Sequence, residues 1–152
     1  MVRHPKVAIR SQGFGVYVQL DGRGITEYRV QPYQNTVRTA GHALGWETFN
    51  LHYNNDDTVS FESSYFPGVY LSLDGNGVNA GVGTDFGGRS LAAQFGAYAW
   101  EKYRIRHTHG GTVAIESAAF GGRYIRVDGN ANVVNVQGVA REWEHFEIVV
   151  IG

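Results

Sequence analysis

Apolar and polar positions alternate along this chain in a phrase that occurs three times: Val7-Ala8-Ile9-Arg10-Ser11, Val59-Ser60-Phe61-Glu62-Ser63 and Val113-Ala114-Ile115-Glu116-Ser117. An aromatic residue, a glycine and a tyrosine follow each copy. The copies recur about every fifty residues, the signature of an internally repeated architecture. Period-two alternation marks a strand with one buried face, and a second such segment follows the first in every repeat. There Val18 and Leu20 correspond to Leu71 and Leu73 and to Ile125 and Val127. The third repeat predicts strands over 112–117, 124–128, 132–137 and 144–151.

Turn chemistry separates these segments at matching places. Asp21-Gly22, Asp74-Gly75 and Asp128-Gly129 close the second strand, and Asp-Gly is a strong hairpin signal because glycine accepts positive φ. The fourth strand is expected to open with Trp46-Glu47-Thr48-Phe49, Trp100-Glu101-Lys102-Tyr103 and Trp143-Glu144-His145-Phe146, which use all three tryptophans of the chain. Four strands in each of three repeats predict an all-β β-trefoil, twelve strands forming a barrel capped by three hairpins. One domain over 1–152 is expected, with repeats at about 7–57, 58–111 and 112–152. Val7, Val59 and Val113 should form one layer of its core.

Composition narrows the function classes. Thirteen basic and fourteen acidic residues leave a net charge of −1 with no basic run, so nucleic acid is not an expected partner. There is no cysteine, hence no disulfide framework. The first six residues run directly into the first phrase without an apolar stretch, so no signal segment or membrane span is read. The expectation is a soluble protein made in the cytoplasm, a reading compatible with release by a non-classical route.

The repeats differ most between the Asp-Gly turn and the tryptophan, where the first two carry about ten residues that the third lacks, and insertions of this kind are cheap and carry function. Alignment back from tryptophan pairs Val37, Leu91 and Val134, which places both additions at the tip of the second hairpin. The first addition brings together Tyr28, Tyr33 and Asn35; the second holds Asn79, Asp85, Phe86 and Arg89 in a glycine-rich stretch. A flat aromatic face suits the apolar side of a sugar ring, and amide, carboxylate and guanidinium groups suit its hydroxyls. These seven are the candidate carbohydrate-binding residues, and the third repeat is expected to be silent.

Other constellations carry less. Glu47, Glu101 and Glu144 are equivalent around the pseudo-threefold axis and so do not share one cleft as paired catalytic carboxylates must; a salt bridge or turn contact is expected for each. His107-Thr108-His109 could supply two ligands of a metal site but leads into Gly110-Gly111, and a solvated turn is expected. No nucleophile motif or phosphate loop is present, so no catalytic residue, cofactor or metal is expected.

Val59-Ser60-Phe61-Glu62-Ser63 with Phe66-Pro67-Gly68-Val69-Tyr70-Leu71 resembles the repeat signature of arabinofuranose-binding trefoil modules. The order of Gly68-Val69-Tyr70-Leu71, Asp74-Gly75 and Trp100-Glu101-Lys102-Tyr103 equally resembles fascin and hisactophilin, trefoils that bind actin. The first resemblance implies glycan partners. The second implies an intracellular protein partner such as actin. Ser72-Leu73-Asp74 stand where the arabinofuranose modules place basic and histidine residues, so their sugar contacts are not carried over. The leading expectation is a non-enzymatic, lectin-like module binding through the long hairpins; an actin- or protein-binding module and a trefoil protease inhibitor are the alternatives.

Overall fold

The structure, a computed structural model, describes residues 5–20, 37–73, 91–96, 99–128, 133–137 and 144–151. Strands dominate. β1 (Lys6–Ser11), β4 (Thr48–Tyr53), β5 (Val59–Ser63), β8 (Tyr103–His107), β9 (Val113–Ser117) and β12 (Phe146–Val150) pair antiparallel, each with the next and the last with the first. That ring is a closed barrel, which removes the exposed edges an open sheet would carry. Three hairpins stand on it: β2 (Tyr17–Leu20) with β3 (Val37–Ala40), β6 (Val69–Leu73) with β7 (Leu91–Phe95), and β10 (Tyr124–Asp128) with β11 (Val133–Gln137).

Each hairpin is attached in the same way. The tyrosine of its first strand lies opposite the fourth residue of the repeated phrase: Tyr17 by Arg10, Tyr70 by Glu62, Tyr124 by Glu116. The ladders also set Leu20 against Val37, Leu73 against Leu91 and Val127 against Val134. Those three partners are the positions that alignment back from tryptophan makes equivalent, and the segments 21–36 and 74–90, which contain the additions, connect the paired strands of their hairpins.

Alternation along the strands becomes layers of core. Val7, Val59 and Val113 are buried as one set, and Ile9, Phe61 and Ile115 as a second. A third consists of Phe49, Tyr103 and Phe146, with ring centroids of Phe61 and Phe49 6.3 Å apart and of Phe61 and Tyr103 5.9 Å apart. Tyr103 alone in its set carries a hydroxyl, and it donates to the Leu71 carbonyl at 3.1 Å. Burial, with a smaller contribution from the Glu101 charge, pushes that hydroxyl well above the ordinary phenol range.

The serine that ends each phrase is a turn cap. Ser11, Ser63 and Ser117 are buried, and their hydroxyls accept the N–H of Phe14, Phe66 and Phe120 respectively. In the second and third repeats a carboxylate latches the same turn. Glu62 Oε2 accepts the Gly68 N–H, and Glu116 Oε2 the Gly122 N–H, both at 2.8 Å. Gly68 and Gly122 both have a φ of 82°, a backbone that disfavours a side chain.

The onset of the fourth strand in each repeat differs from expectation. Trp46-Glu47 and Trp100-Glu101 do not open strands; they belong to one-turn 3-10 helices at Gly45–Glu47 and Ala99–Glu101 that precede β4 and β8. Likewise the last strand begins at Phe146, two residues beyond the expected 144. A hydrogen bond decides it: the Leu44 N–H donates to Glu47 Oε1 at 2.8 Å, so the side chain closes a turn that a strand would leave open.

These latches make stability acid-sensitive. Burial acts to raise Glu62, but the Gly68 N–H, His52 and Asn50 outweigh it and hold its carboxyl below the usual range. Glu116 follows the same balance, with Gly122, Arg106 and Arg104 overcoming burial. Asp56 is lowered to about 2 by the Thr58 hydroxyl and by Lys102. A depressed carboxyl stabilises the fold above its unfolded value and loses that contribution as pH falls through the folded value. The melting temperature should therefore stay level above about pH 5 and fall below about pH 4, with Glu116→Gln flattening part of the fall. A wild-type melting temperature unchanged down to about pH 3 would contradict this.

Candidate functional site

The three glutamates that follow the tryptophans are each 2% exposed. Glu47 accepts the Leu44 N–H at Oε1 and the Gln19 side-chain amide at Oε2, the latter at 2.6 Å. Glu101 Oε2 accepts the Ser72 hydroxyl at 2.7 Å. Gln19 and Ser72 hold equivalent places on β2 and β6, so each carboxylate ties a hairpin to the turn below it. The donors belong to the fold. Glu47 and Glu101 are anchors of the fold, each bonded to donors of its own hairpin and turn.

Beside the anchors, aromatic side chains join successive repeats. Trp46 of the first repeat lies 6.2 Å from Phe66 of the second, and Trp100 of the second 6.0 Å from Phe120 of the third. The two seams match closely, as a structural role requires; Trp143 lies outside the described residues. At one position the symmetry fails. Tyr65 is 61% exposed, whereas Gly13 and Ala119 flank the equivalent phenylalanines in the other repeats.

Tyr65 is held from below. Its ring packs at 4.8 Å, edge to face, on Phe66, and its N–H donates to Ser63 Oγ at 3.2 Å. A Cβ on Gly45 would come within 2.9 Å of Tyr65 Cδ2, so the ring rests on the bare backbone of that glycine. The equivalent residues before the other tryptophans are Ala99 and Glu142. Thus a tyrosine found in one repeat stands over a glycine found in one repeat, although they come from different repeats. Leu44, 64% exposed, extends the apolar surface at this seam.

Polar groups gather on the outside of the barrel. Glu62 Oε1 lies 2.8 Å from His52 Nε2 and accepts Asn50 Nδ2 at 3.3 Å, with the Tyr70 ring 5.6 Å from the His52 ring. Burial and the Glu62 charge raise the Tyr70 hydroxyl. Between β8 and β9, where the second repeat meets the third, the corresponding set is Arg104, Arg106 and Glu116, and between β12 and β1 it is Glu147 and Arg10. His107 ends β8 exposed, and His109 begins a one-turn helix. Among the described residues no three histidine, cysteine, aspartate or glutamate side chains are placed to hold a metal ion.

The seven residues expected from sequence to bind carbohydrate, Tyr28, Tyr33, Asn35, Asn79, Asp85, Phe86 and Arg89, lie outside the described residues. The described ends of their hairpins are the pairs Leu20–Val37 and Leu73–Leu91. Sequence reasoning passed over Tyr65 and Gly45 because it compared the repeats only in length. The signal was present as two substitutions in otherwise matching turns.

The sequence matches no protein-family model and no curated protein. Solved structures do match. ThreeFoil, a designed three-fold symmetric protein, aligns over 96% of this chain and 99% of its own at 11% identity and a TM-score of 0.72. BEL, a β-trefoil, aligns over 99% of this chain and 96% of its own at 12% identity and a TM-score of 0.71. The fold is a β-trefoil. SeviL, in a structure bound to the saccharide of asialo-GM1, aligns over 98% of this β-trefoil and 99% of its own chain at 8% identity and a TM-score of 0.70. Among the described residues of the trefoil no helix is long and apolar enough to cross a membrane.

Proposed function

We propose that this β-trefoil is a non-enzymatic carbohydrate-binding module of lectin type. The observation that carries the reading is the exposed ring of Tyr65, fixed by Phe66 and seated on Gly45 at a place where the threefold pattern is broken. A rigid aromatic face loses little entropy on binding and offers its π surface to the C–H side of a sugar. The saccharide bound by SeviL, a trefoil of the same fold, supports glycans as the ligand class. Two further contact sets are proposed on the long hairpins, Tyr28, Tyr33 and Asn35 on one and Asn79, Asp85, Phe86 and Arg89 on the other. Several weak sites on one rigid body gain avidity on a multivalent glycan. The buried, internally bonded Glu47 and Glu101 support the non-enzymatic part of the reading.

A glycan array followed by calorimetry on the best neutral ligand tests this, with actin co-sedimentation run alongside. Tyr65→Ala is expected to weaken binding by roughly 3- to 10-fold, the worth of one aromatic contact, with an unchanged melting temperature. Gly45→Ala should weaken it similarly, because the added methyl displaces the ring rather than the backbone, which accepts alanine at Ala99. The double variant should be no worse than either single one. Additive losses would sink the coupling of the two residues. Absence of binding to any glycan, with protein pelleting on actin filaments, would replace the carbohydrate reading by the protein-binding one.

A further inference from the structure

The outward faces of the three repeats share one plan and carry different charge. At the fourth position of the phrase and the ladder positions facing it, the junction of β12 and β1 holds one cation and one anion, Arg10 and Glu147. The junction of β4 and β5 holds Glu62 with His52 and Asn50. The junction of β8 and β9 holds Glu116 against two guanidinium groups, Arg104 directly across the ladder and Arg106 two residues further along the same strand. We propose that this face, at the junction of the second and third repeats, binds the anionic group, sulfate or carboxylate, of an acidic saccharide, an inference that rests on the carbohydrate reading above.

Hydrogen bonding at the face is unevenly used. Glu116 is fully committed, its Oε2 to the Gly122 N–H and its Oε1 to Arg106 Nε, both at 2.8 Å. Arg106 bonds through Nε alone, and its side chain is 56% exposed, so the terminal amino groups face solvent. Arg104 makes one long hydrogen bond, 3.5 Å to the Ala118 carbonyl in the β9–β10 turn. Arg123 sits in that same turn, its N–H on the Phe120 carbonyl, and its Nε is buried without a hydrogen-bond partner. Valine holds the equivalent position in the other repeats, Val16 and Val69. Arg104 and Arg106 therefore flank one carboxylate with donors still available to a ligand, and Arg123 adds a third positive charge in the adjoining turn.

Side chains two apart on a strand project from one face about 7 Å from each other, so Arg104 and Arg106 can grip one oxyanion or two on neighbouring sugars. A guanidinium fork matches the oxygens of carboxylate and sulfate, and it stays charged at every physiological pH. The chain as a whole carries a net charge of −1, which supplies no long-range field to draw in a polyanion such as nucleic acid. Recognition would thus be local, and a short acidic oligosaccharide fits it better than a long duplex. Tyr124, on β10, stands in register opposite Glu116 and brings a further hydroxyl donor to this junction's neighbourhood in sequence.

Calorimetry with sulfated dextran oligomers, oligogalacturonate, uncharged dextran oligomers of equal length and inorganic polyphosphate tests the assignment. The two acidic saccharides are expected to bind, and their affinity to fall as salt rises from about 50 to about 300 mM. Arg104→Gln with Arg106→Gln should weaken that binding at least about tenfold, and Arg10→Gln less than about twofold. Arg104→Gln alone should lose a measurable part; it leaves both hydrogen bonds of Glu116 in place, and Arg104→Lys, which keeps the charge beside Glu116 but not the guanidinium fork, should lose a similar part of the binding with an unchanged melting temperature. Tyr65→Ala should weaken neutral-sugar binding as above and leave acidic-sugar binding unchanged, so the two readings fail separately. Equal affinity for charged and uncharged dextran, wild-type affinity in the double arginine variant, or polyphosphate bound as tightly as sulfated sugar would each overturn the proposal.

Discussion

Phe61→Ala is expected to cost about 3–5 kcal/mol, a large part of the roughly 5–15 kcal/mol margin of a folded domain. Phe61 is fully buried and touches the rings of Phe49 and Tyr103, which come from two other barrel strands. Those neighbours cannot collapse into the vacated space without shifting β4 and β8, both of which pair directly with β5. The cavity should therefore stay largely open, and the cost should lie toward the upper part of the range. Chemical denaturation with an unchanged m-value is the measurement. A loss under about 1 kcal/mol would mean that the barrel repacks around the gap and that its layers are not as rigid as their burial implies.

The second large effect is expected at Glu47. Replacing it with alanine removes acceptors from two donors at once, the Leu44 N–H and the Gln19 amide, in a place with almost no access to water. Each orphaned donor costs about 1–3 kcal/mol, and the turn that carries Gly45 loses its clasp. Glu47→Ala should consequently lower stability by about 2–4 kcal/mol and also weaken Tyr65-dependent sugar binding. Glu47→Gln keeps one carbonyl acceptor, which the Leu44 N–H or a reoriented Gln19 can use, and should cost less than half as much. A catalytic carboxylate would behave in the opposite way, with the glutamine variant folding like wild type while turnover disappears.

Much of this architecture is written in short-range pattern. The triplet Val7, Val59 and Val113 identifies a core layer because equivalent apolar positions around a threefold axis can only meet at the centre. Counting back from tryptophan finds Val37, Leu91 and Val134, and the ladders pair them as equivalents, since a hairpin cannot slip a residue without turning its buried face outward. The same tryptophans mislead about strand onset. Propensity favours a strand at Trp46-Glu47, but the reach of the Glu47 side chain back to Leu44 is a tertiary choice that propensity does not encode.

The candidate sites were less legible for a related reason. Tyr65 and Gly45 are twenty positions apart in different repeats, and only their contact reveals them as a pair. Arg104 and Arg106 read as ordinary polar positions of an alternating strand until Glu116 and the β9–β10 turn are set beside them. Residues such as Tyr33 and Asp85 stand out early because loop insertions are visible as length. Substitutions within a conserved length become visible only in three dimensions.

A chain made of three similar units must also avoid joining the wrong ones, and the ion pair between Arg10 and Glu147 bears on that. At 2.8 Å it spans the junction where the last described strand meets the first. Laid against β5 or β9 in the equivalent register, β12 would set Glu147 opposite Glu62 or Glu116, carboxylate against carboxylate. β8 laid against β1 would set Arg104 opposite Arg10. Directly opposed like charges disfavour a strand pair, so the exchange of sign at one junction tells otherwise interchangeable edges apart. The repeats share a shape, and the exchanged signs mark the junction of β12 and β1 off from the other two.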